Sequence, residues 1–230
     1  MYTEIISLLS WLPIVLNDKN WNMKKISIIL GFTFLLIFLS SCLTTLHPIF
    51  TEKDLAYDPK FIGTWNIERE GNKERVIISS LATETSLELP GNISDIKEKG
   101  YLISYQHEHS ENPERYIAFL ARIGKYLYFD YYPAFKKEDQ KIDEFLGAHF
   151  VKMHTSYRVE ILNDGSFELS QLDGSYINSL IDQKKIRINH ETATDDNIVI
   201  TASTSELQQY LIKYGDEPEA YESKKTIFKK

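Results

Sequence analysis

Residues 115–132 read RYIAFLARIGKYLYFDYY, a sequence in which two apolar-rich runs are separated by Gly124 and Lys125. The runs cover residues 115–123 and 126–132, and both are rich in the aromatic and β-branched residues that favour strands. A glycine at the first central position of a two-residue loop is what a type II′ turn requires. The stretch therefore predicts an antiparallel β-hairpin.

Further strands are predicted on both sides of this hairpin. Asp164-Gly165 supplies the positive φ that a tight turn demands, so residues 157–169 are expected to form a second hairpin. Hairpin turns join antiparallel strands, so the pattern favours an antiparallel barrel or sandwich over alternating βαβ units. The other strands are expected at Glu74–Ile78, Thr85–Leu89, Tyr101–Tyr105, Ile186–Ile188, Asn197–Thr201 and Lys225–Phe228.

Three short helices are expected to interrupt the strands. Residues 136–145 form a charged and loosely amphipathic segment, and residues 173–183 place apolar side chains on one face. A third helix begins at Ser203, because Ser203 and Glu206 have the spacing of a capping box, and it ends at Gly215. The predicted fold class is therefore mainly β, an antiparallel barrel-like domain with two to three short helices.

The composition limits the class of protein. The chain has 230 residues, of which 43% are hydrophobic and 26% charged, with a formal net charge of −7 and a pI near 5.4. These proportions suit an ordinary globular domain and exclude collagen-like, low-complexity and disulfide-scaffold classes. The acidic balance disfavours nucleic acid as a partner, because proteins that bind it neutralise phosphates with basic patches.

The N-terminal part of the chain contains a targeting signal. Lys24 and Lys25 precede an apolar run over residues 26–39, and Ser40 and Ser41 follow it. Fourteen residues of helix span roughly 21 Å, which is short of the roughly 30 Å that a transmembrane helix must cross. A positive start, a short apolar run and small residues at its end are the pattern of a secretory signal peptide, which is cleaved off.

Leu39-Ser40-Ser41-Cys42 resembles the lipobox of bacterial lipoproteins at every position. The resemblance implies cleavage between Ser41 and Cys42, a diacylglycerol on the Cys42 thiol, and a further acyl chain such as palmitate on the new amine. Two or three acyl chains hold a protein durably on a membrane. Cys42 is the only cysteine of the chain, so no disulfide competes for its thiol. Leu43 after the cysteine favours the outer membrane, again by resemblance.

These signals divide the chain into four parts. Residues 1–22 are interpreted as an over-extended start, with translation beginning at Met23, or else as a long n-region that is also removed. Residues 23–41 are the lipoprotein signal peptide and residues 42–60 are a tether. The β-rich globular domain is expected to cover residues 61–230.

Gly63-Thr64-Trp65 opens the first predicted strand and resembles the Gly-x-Trp signature near the start of lipocalin-like and wider calycin barrels. In that family the tryptophan packs across the closed end of the barrel, beneath a basic residue from a late strand. The resemblance implies a structural role for Trp65 and a barrel of about eight strands, whose interior is filled by side chains or admits one small ligand. The basic partner is expected among Lys224, Lys225, Lys229 and Lys230.

Two other segments resemble parts of uncharacterised bacterial lipoproteins. They are residues 47–54, which read HPIFTEKD, and residues 201–208, which read TASTSELQ. This resemblance implies an anchor and a domain, and it implies no particular activity.

The strand at residues 126–132 carries candidate binding residues. Side chains alternate between the two faces of a strand, so Tyr126, Tyr128 and Tyr132 share one face, while the opposite, apolar face is expected in the core. A tyrosine face can line a ligand cavity or a partner surface, because its rings offer apolar area with a polar tip. The alternative is that these tyrosines reflect only the strand propensity of tyrosine on a half-exposed face.

The sequence predicts no catalytic residue, metal site or cofactor. His107 and His109 lie on one side of a strand, but two ligands do not make a zinc site, and their charged neighbours fit a solvated loop better. His149 and His154 lack the spacing of a zinc-binding helix and are interpreted as polar residues at strand ends. The sequence contains no phosphate-binding loop and no nucleophile elbow, so we expect a protein that is not an enzyme.

Together these features predict a lipid-anchored protein of the cell envelope, in the outer membrane, whose barrel-like domain binds a small apolar ligand without catalysis. The alternative is an interaction module for another envelope protein, with a filled barrel and its function on the surface. A hydrolytic or metal-dependent enzyme is the least favoured interpretation.

Overall fold

The computed structural model describes residues 43–69, 71–85, 87, 89, 91–106, 113–134, 151–192 and 198–230. This part of the chain forms eleven strands and three α-helices, so the mainly β class predicted from the sequence is confirmed. The strands are β1 (Thr44–Thr45), β2 (Gly63–Arg69), β3 (Asn72–Ser80), β4 (Gly100–Gln106), β5 (Glu114–Ile123), β6 (Tyr126–Pro133), β7 (His154–Ile161), β8 (Phe167–Leu172), β9 (His190–Thr192), β10 (Ile198–Ile200) and β11 (Tyr221–Phe228). The helices are α1 (Gly91–Ser94), α2 (Gly174–Asp182) and α3 (Thr204–Tyr214).

The strands form one large sheet. Sequential strands pair antiparallel from β2 to β8, and β8 pairs in turn with β11. β7 also pairs with β1, which joins β10 and β9 to the same sheet. The regular ladders do not close this sheet into a barrel. Between β11 and β2 there is an isolated bridge of Asn66 with Lys229, whose two backbone hydrogen bonds measure 2.7 and 3.0 Å.

Both predicted hairpins are present, and glycine makes each turn possible. Gly124 adopts a φ of 59° in the two-residue loop between β5 and β6, a conformation that a side chain at this position would strain. Gly165 adopts a φ of 83° between β7 and β8. The Asp164 carboxylate accepts a hydrogen bond from the backbone N–H of Ser166 at 3.0 Å and closes that turn. The turns fix the register of both hairpins.

One face of the sheet, here called the inner face, carries an aromatic core. The Phe167 ring lies 5.0 Å from that of Phe61, 4.8 Å from Trp65 and 4.4 Å from Phe228, measured between centroids. Phe61 also meets Phe129 edge-on at 5.2 Å. Rings from β2, β6, β8 and β11 therefore meet at one point, so the strands curve around a shared interior.

The opposite face, here called the outer face, is covered by helices. Ile177 and Leu180 of α2 and Leu207 and Leu211 of α3 are buried in a second hydrophobic core. The predicted capping box of α3 is confirmed. The Ser203 hydroxyl accepts a hydrogen bond from the backbone N–H of Glu206, and the Glu206 carboxylate accepts one from the backbone N–H of Ser203 at 2.9 Å. Both faces of the sheet are thus buried over much of their area.

Some predicted elements differ from the structure. Thr85, Leu87 and Leu89 are not in a strand, and residues 186–188 are not either; the next strand begins at His190. Ile188 is nevertheless buried in the outer core, so its apolar side chain packs there without joining a ladder. The predicted helix over residues 136–145 lies outside the described residues.

The segment predicted as a tether is part of the folded domain over residues 43–60. Leu43 is 2% exposed and Ile49 only 1%, and both belong to the outer core. Thr44 and Thr45 pair with β7 on one side and with β10 on the other. The apolar side chains of this segment gain burial, and its backbone gains ladder hydrogen bonds, so it does not extend into solvent as a linker would.

Candidate functional site

A cavity of about 340 Å³ lies on the inner face of the sheet, next to the aromatic core. Phe228 and Leu169 are buried residues of its lining, and Phe228 connects it to the core through its stack on Phe167. The other lining residues come from β4 to β8 and β11, and those nearest solvent are exposed or half-buried. The volume lies at the lower end of the range of small-molecule sites.

Four tyrosines form one continuous wall of this cavity. Tyr105, Tyr116, Tyr131 and Tyr157 come from the successive strands β4, β5, β6 and β7. Neighbouring ring centroids are 5.9, 5.7 and 4.8 Å apart in that order. Cross-strand neighbours on one face of an antiparallel sheet lie within reach of aromatic side chains, which is why tyrosines on consecutive strands touch.

Burial keeps the deepest phenol of the wall uncharged. Desolvation raises the pKa of Tyr131 well above its usual range, and the neighbouring Tyr105 raises it further. The two hydroxyl oxygens are 3.2 Å apart and hydrogen-bonded to each other. The wall therefore presents neutral rings at physiological pH, each with an apolar face.

Charged and polar residues lie around the tyrosine wall. Glu114 and Lys224 are exposed, whereas Glu222, the second residue of β11, is partly buried. Among the described residues of the lining, Glu114 and Glu222 carry carboxylates and Lys224 carries an ammonium group at neutral pH. Gln171 supplies an amide from the end of β8.

The other end of the interior is filled by Trp65 and its neighbours. The Trp65 indole N–H donates to the backbone carbonyl of Phe61 at 2.8 Å, and the residue is 2% exposed. Lys230, one of the four lysines expected to cover this ring, places its Nζ 4.9 Å from the ring centroid. Trp65 is therefore a core residue, and its contacts are structural.

The three tyrosines singled out on β6 lie on the outer face, away from the cavity. The Tyr128 hydroxyl is 3.0 Å from that of Tyr221, and Tyr126 donates to the carboxylate of Asp216. Tyr132 packs its ring 5.0 Å from that of His154. The residue of β6 that lines the cavity is instead Tyr131, on the face that was expected to be core.

A buried polar cluster fastens the N-terminal segment to the outer face. Asp130 is 1% exposed, and its carboxylate accepts from the Ile49 N–H at 3.0 Å, from Nδ1 of His154 at 2.5 Å and from the Ser156 hydroxyl at 3.4 Å. His154 was predicted as a polar strand-end residue; it does begin β7, but it is buried. The Ser156 hydroxyl donates to the carboxylate, so the cluster does not have the serine-to-imidazole order of a hydrolase triad.

The two segments that resemble uncharacterised lipoproteins contact each other. Nε2 of Gln208 donates to the Ile49 carbonyl at 3.0 Å and to the Asp54 carboxylate at 2.9 Å. The Thr204 hydroxyl donates to the Pro48 carbonyl at 2.8 Å. These hydrogen bonds, here called the outer clasp, join α3 to residues 47–54 and have a structural role.

Several predicted site residues lie outside the described ranges, namely Ser41, Cys42, His107, His109 and His149. Within those ranges no group of three metal-ligating side chains comes together. The helices of the described part are all too short or too polar to cross a membrane.

A scan against protein-family models, a search of curated proteins and a search of solved structures found no match to this chain. The fold and the site define a mainly β protein with a tyrosine-lined cavity on the inner face of its sheet.

Proposed function

We propose that this chain is a lipid-anchored protein of the cell envelope whose domain binds a small ligand in the tyrosine-lined cavity without catalysing a reaction. The observation that carries the proposal is the cavity itself. It has the volume of a small-molecule site and combines buried apolar residues with a few polar groups, which is the usual composition of a ligand pocket.

The strand arrangement supports a barrel-like scaffold for this site. Eight strands, β2 to β8 and β11, share the aromatic core, and the bridge between Asn66 and Lys229 joins the last of them to the first. A series of about eight strands around one interior leaves room for side chains or for one small ligand. We infer that one end of this interior is filled and that the other holds the ligand.

The lipobox supports the anchor, and the fold indicates where the anchor would act. Leu43 follows Cys42 directly, and its N–H bonds to the carbonyl of Leu172 at 3.4 Å. Thr44 pairs with Thr155, which lines the cavity. Consecutive Cα atoms are about 3.8 Å apart, so acyl chains on Cys42 would hold the cavity end of the domain close to the bilayer.

The ligand proposal is tested by fluorescence of Trp65 in residues 43–230, in which it is the only tryptophan. Trp65 contacts Phe167, and Phe167 stacks on Phe228 of the cavity, so a bound molecule changes the environment of the indole. A saturable change with a small amphiphilic probe is expected. A folded domain that binds none of a broad probe set would overturn the ligand proposal and favour the interaction module.

The anchor is tested by metabolic labelling with a fatty acid in the native host. Cys42→Ala is expected to abolish incorporation and to leave the unprocessed precursor, because the acceptor thiol is gone. Ser40→Ala is the matched control, since it leaves the cysteine in place. Normal processing of the Cys42→Ala chain would contradict the anchor.

A further inference from the structure

The lining of the cavity indicates which class of ligand it accepts. The inference rests on the proposed function, because it names the chemistry of a ligand for that same cavity. The four contacting tyrosines form most of one wall, and their rings are neutral and tilted against one another, with interplanar angles of 87°, 37° and 52° along the wall. Aromatic faces carry negative electrostatic potential and attract cations that lie within about 6 Å of the ring centroid.

The charged side chains beside the tyrosine wall also favour a cation. In the described part of the lining, Glu222 and Glu114 contribute two carboxylates and Lys224 one ammonium group, and Glu222 is less exposed than Lys224. A partly buried carboxylate is screened less by water than an exposed ammonium, so Glu222 favours a cation in the cavity. The whole chain also has a net charge of −7, which attracts cations and repels anions.

The apolar residues of the lining indicate a second property of the ligand. Leu169 and Phe228 are buried at the side that joins the aromatic core, so they suit an apolar group. A cationic group placed against the tyrosines would therefore be attached to an apolar portion of the ligand.

We propose that the cavity binds a small organic cation, an amine or quaternary ammonium group carried on an apolar portion, with Tyr116, Tyr131 and Tyr157 around the cation and Glu222 balancing its charge. A neutral ligand stacked on the rings is the competing outcome of the test below.

The test compares three probes that share one apolar chain and differ in the charge of the head group: hexylammonium, 1-hexanol and hexanoate. Each is titrated by calorimetry into the full chain in a non-ionic maltoside detergent, with detergent alone as a blank. Hexylammonium is expected to bind at least about tenfold more tightly than the neutral probe, and the anion not at all. Equal or tighter binding of the neutral probe or the anion would overturn the cation class and leave the ligand cavity standing. A folded chain that binds none of the three would overturn the cation class, whereas the ligand proposal itself is overturned only by failure with the broad probe set.

Variants locate the binding in the cavity. Tyr157→Leu and Glu222→Gln are each expected to weaken hexylammonium binding by about tenfold, and Tyr157→Phe is expected to retain it because the ring remains. Tyr214→Leu on α3 and Glu160→Gln on β7 are the matched controls, since neither residue lines the cavity. Hexylammonium binding that is lost in the controls as well, or retained in Tyr157→Leu and Glu222→Gln, would contradict the assignment.

Discussion

The two ends of the inner face are built from similar side chains but differ in packing. At the filled end Phe167 packs against Phe61, Phe228 and Trp65, and the Trp65 N–H is bonded to a backbone carbonyl. At the hollow end, four tyrosines line one wall and leave a cavity of about 340 Å³. One end buries aromatic surface within the core, whereas at the other end aromatic rings line a cavity, which we propose to be the ligand site.

The difference follows from side-chain chemistry and position. Phenylalanine has no polar atom, so it can be enclosed from every side without an unsatisfied group. Tyrosine has a hydroxyl that needs a partner, and the pair Tyr105 and Tyr131 satisfies each other at 3.2 Å. Tyrosines therefore suit the boundary between the core and water. Substitutions at the two ends are expected to separate stability from binding.

Phe167→Ala is expected to have the largest effect on stability. The ring contacts Phe61, Trp65 and Phe228, so its removal leaves a cavity in the filled end and costs about 3–5 kcal/mol. Urea unfolding followed by circular dichroism measures the change. Tyr157→Leu at the hollow end is the comparison and is expected to cost about 1 kcal/mol, because Tyr157 is only partly buried. Equal losses of unfolding free energy in the two variants would contradict the difference in packing between the two ends.

High pH is expected to destabilise the fold, and Tyr131 at the hollow end contributes to that loss of stability. Burial raises the pKa of Tyr131 above the value near 10 that it has when unfolded, so the folded state holds this proton more tightly. That contribution to stability is complete below pH 10 and decreases as the pH rises toward the folded-state pKa. By about pH 11 the loss is about 1.4 kcal/mol for this residue.

Tyr131→Phe tests this pH dependence, because it keeps the ring and removes the titrating hydroxyl. Its free energy of unfolding is expected to fall less between about pH 9 and pH 11 than that of the wild type, by about 1.4 kcal/mol. Phe129→Leu, on the same strand and the same inner face, is the control, since it lowers the free energy of unfolding equally at both pH values. An unchanged slope in Tyr131→Phe would show that the phenol is not buried as described.

Ser203→Ala has the smallest expected effect and lies on the outer face. The hydroxyl caps α3 and its loss costs about 1 kcal/mol of unfolding free energy, as for helix N-caps in general. Probe binding in the cavity is expected to remain unchanged, because α3 packs on the other side of the sheet. Weakened probe binding in a fully folded Ser203→Ala protein would show that the two faces are coupled.

Local features of the fold were predictable from the sequence. Gly124, Gly165 and the pair Ser203 and Glu206 each specify a turn or a cap through neighbouring residues, and all of them occur as expected. The tether was predicted wrongly, because the partners that hold residues 43–54, such as Asp130 and Gln208, lie far away in sequence. Local patterns do not report such contacts.

The sequence indicated only that a tyrosine face of β6 could line a cavity, and it did not indicate which face does so. Alternation along β6 separates Tyr126, Tyr128 and Tyr132 from Tyr131, but it does not say which face is covered by helices. Since both faces of this strand are buried, the usual contrast between an apolar and a polar face is lost. A tyrosine near one end of each of four consecutive strands was the available signal, and its meaning depends on the pairing register.

The most direct test of the hollow end is to fill it. Thr226 lines the cavity, whereas its neighbour Ile227 points to the other face and is 38% exposed, so Thr226→Phe and Ile227→Phe form a matched pair. Calorimetric titration of both folded variants with the probe that the wild type binds best gives the decisive comparison. Loss of binding in Thr226→Phe, with binding retained in Ile227→Phe, is the result we predict; undiminished binding in Thr226→Phe would contradict a ligand site in this cavity.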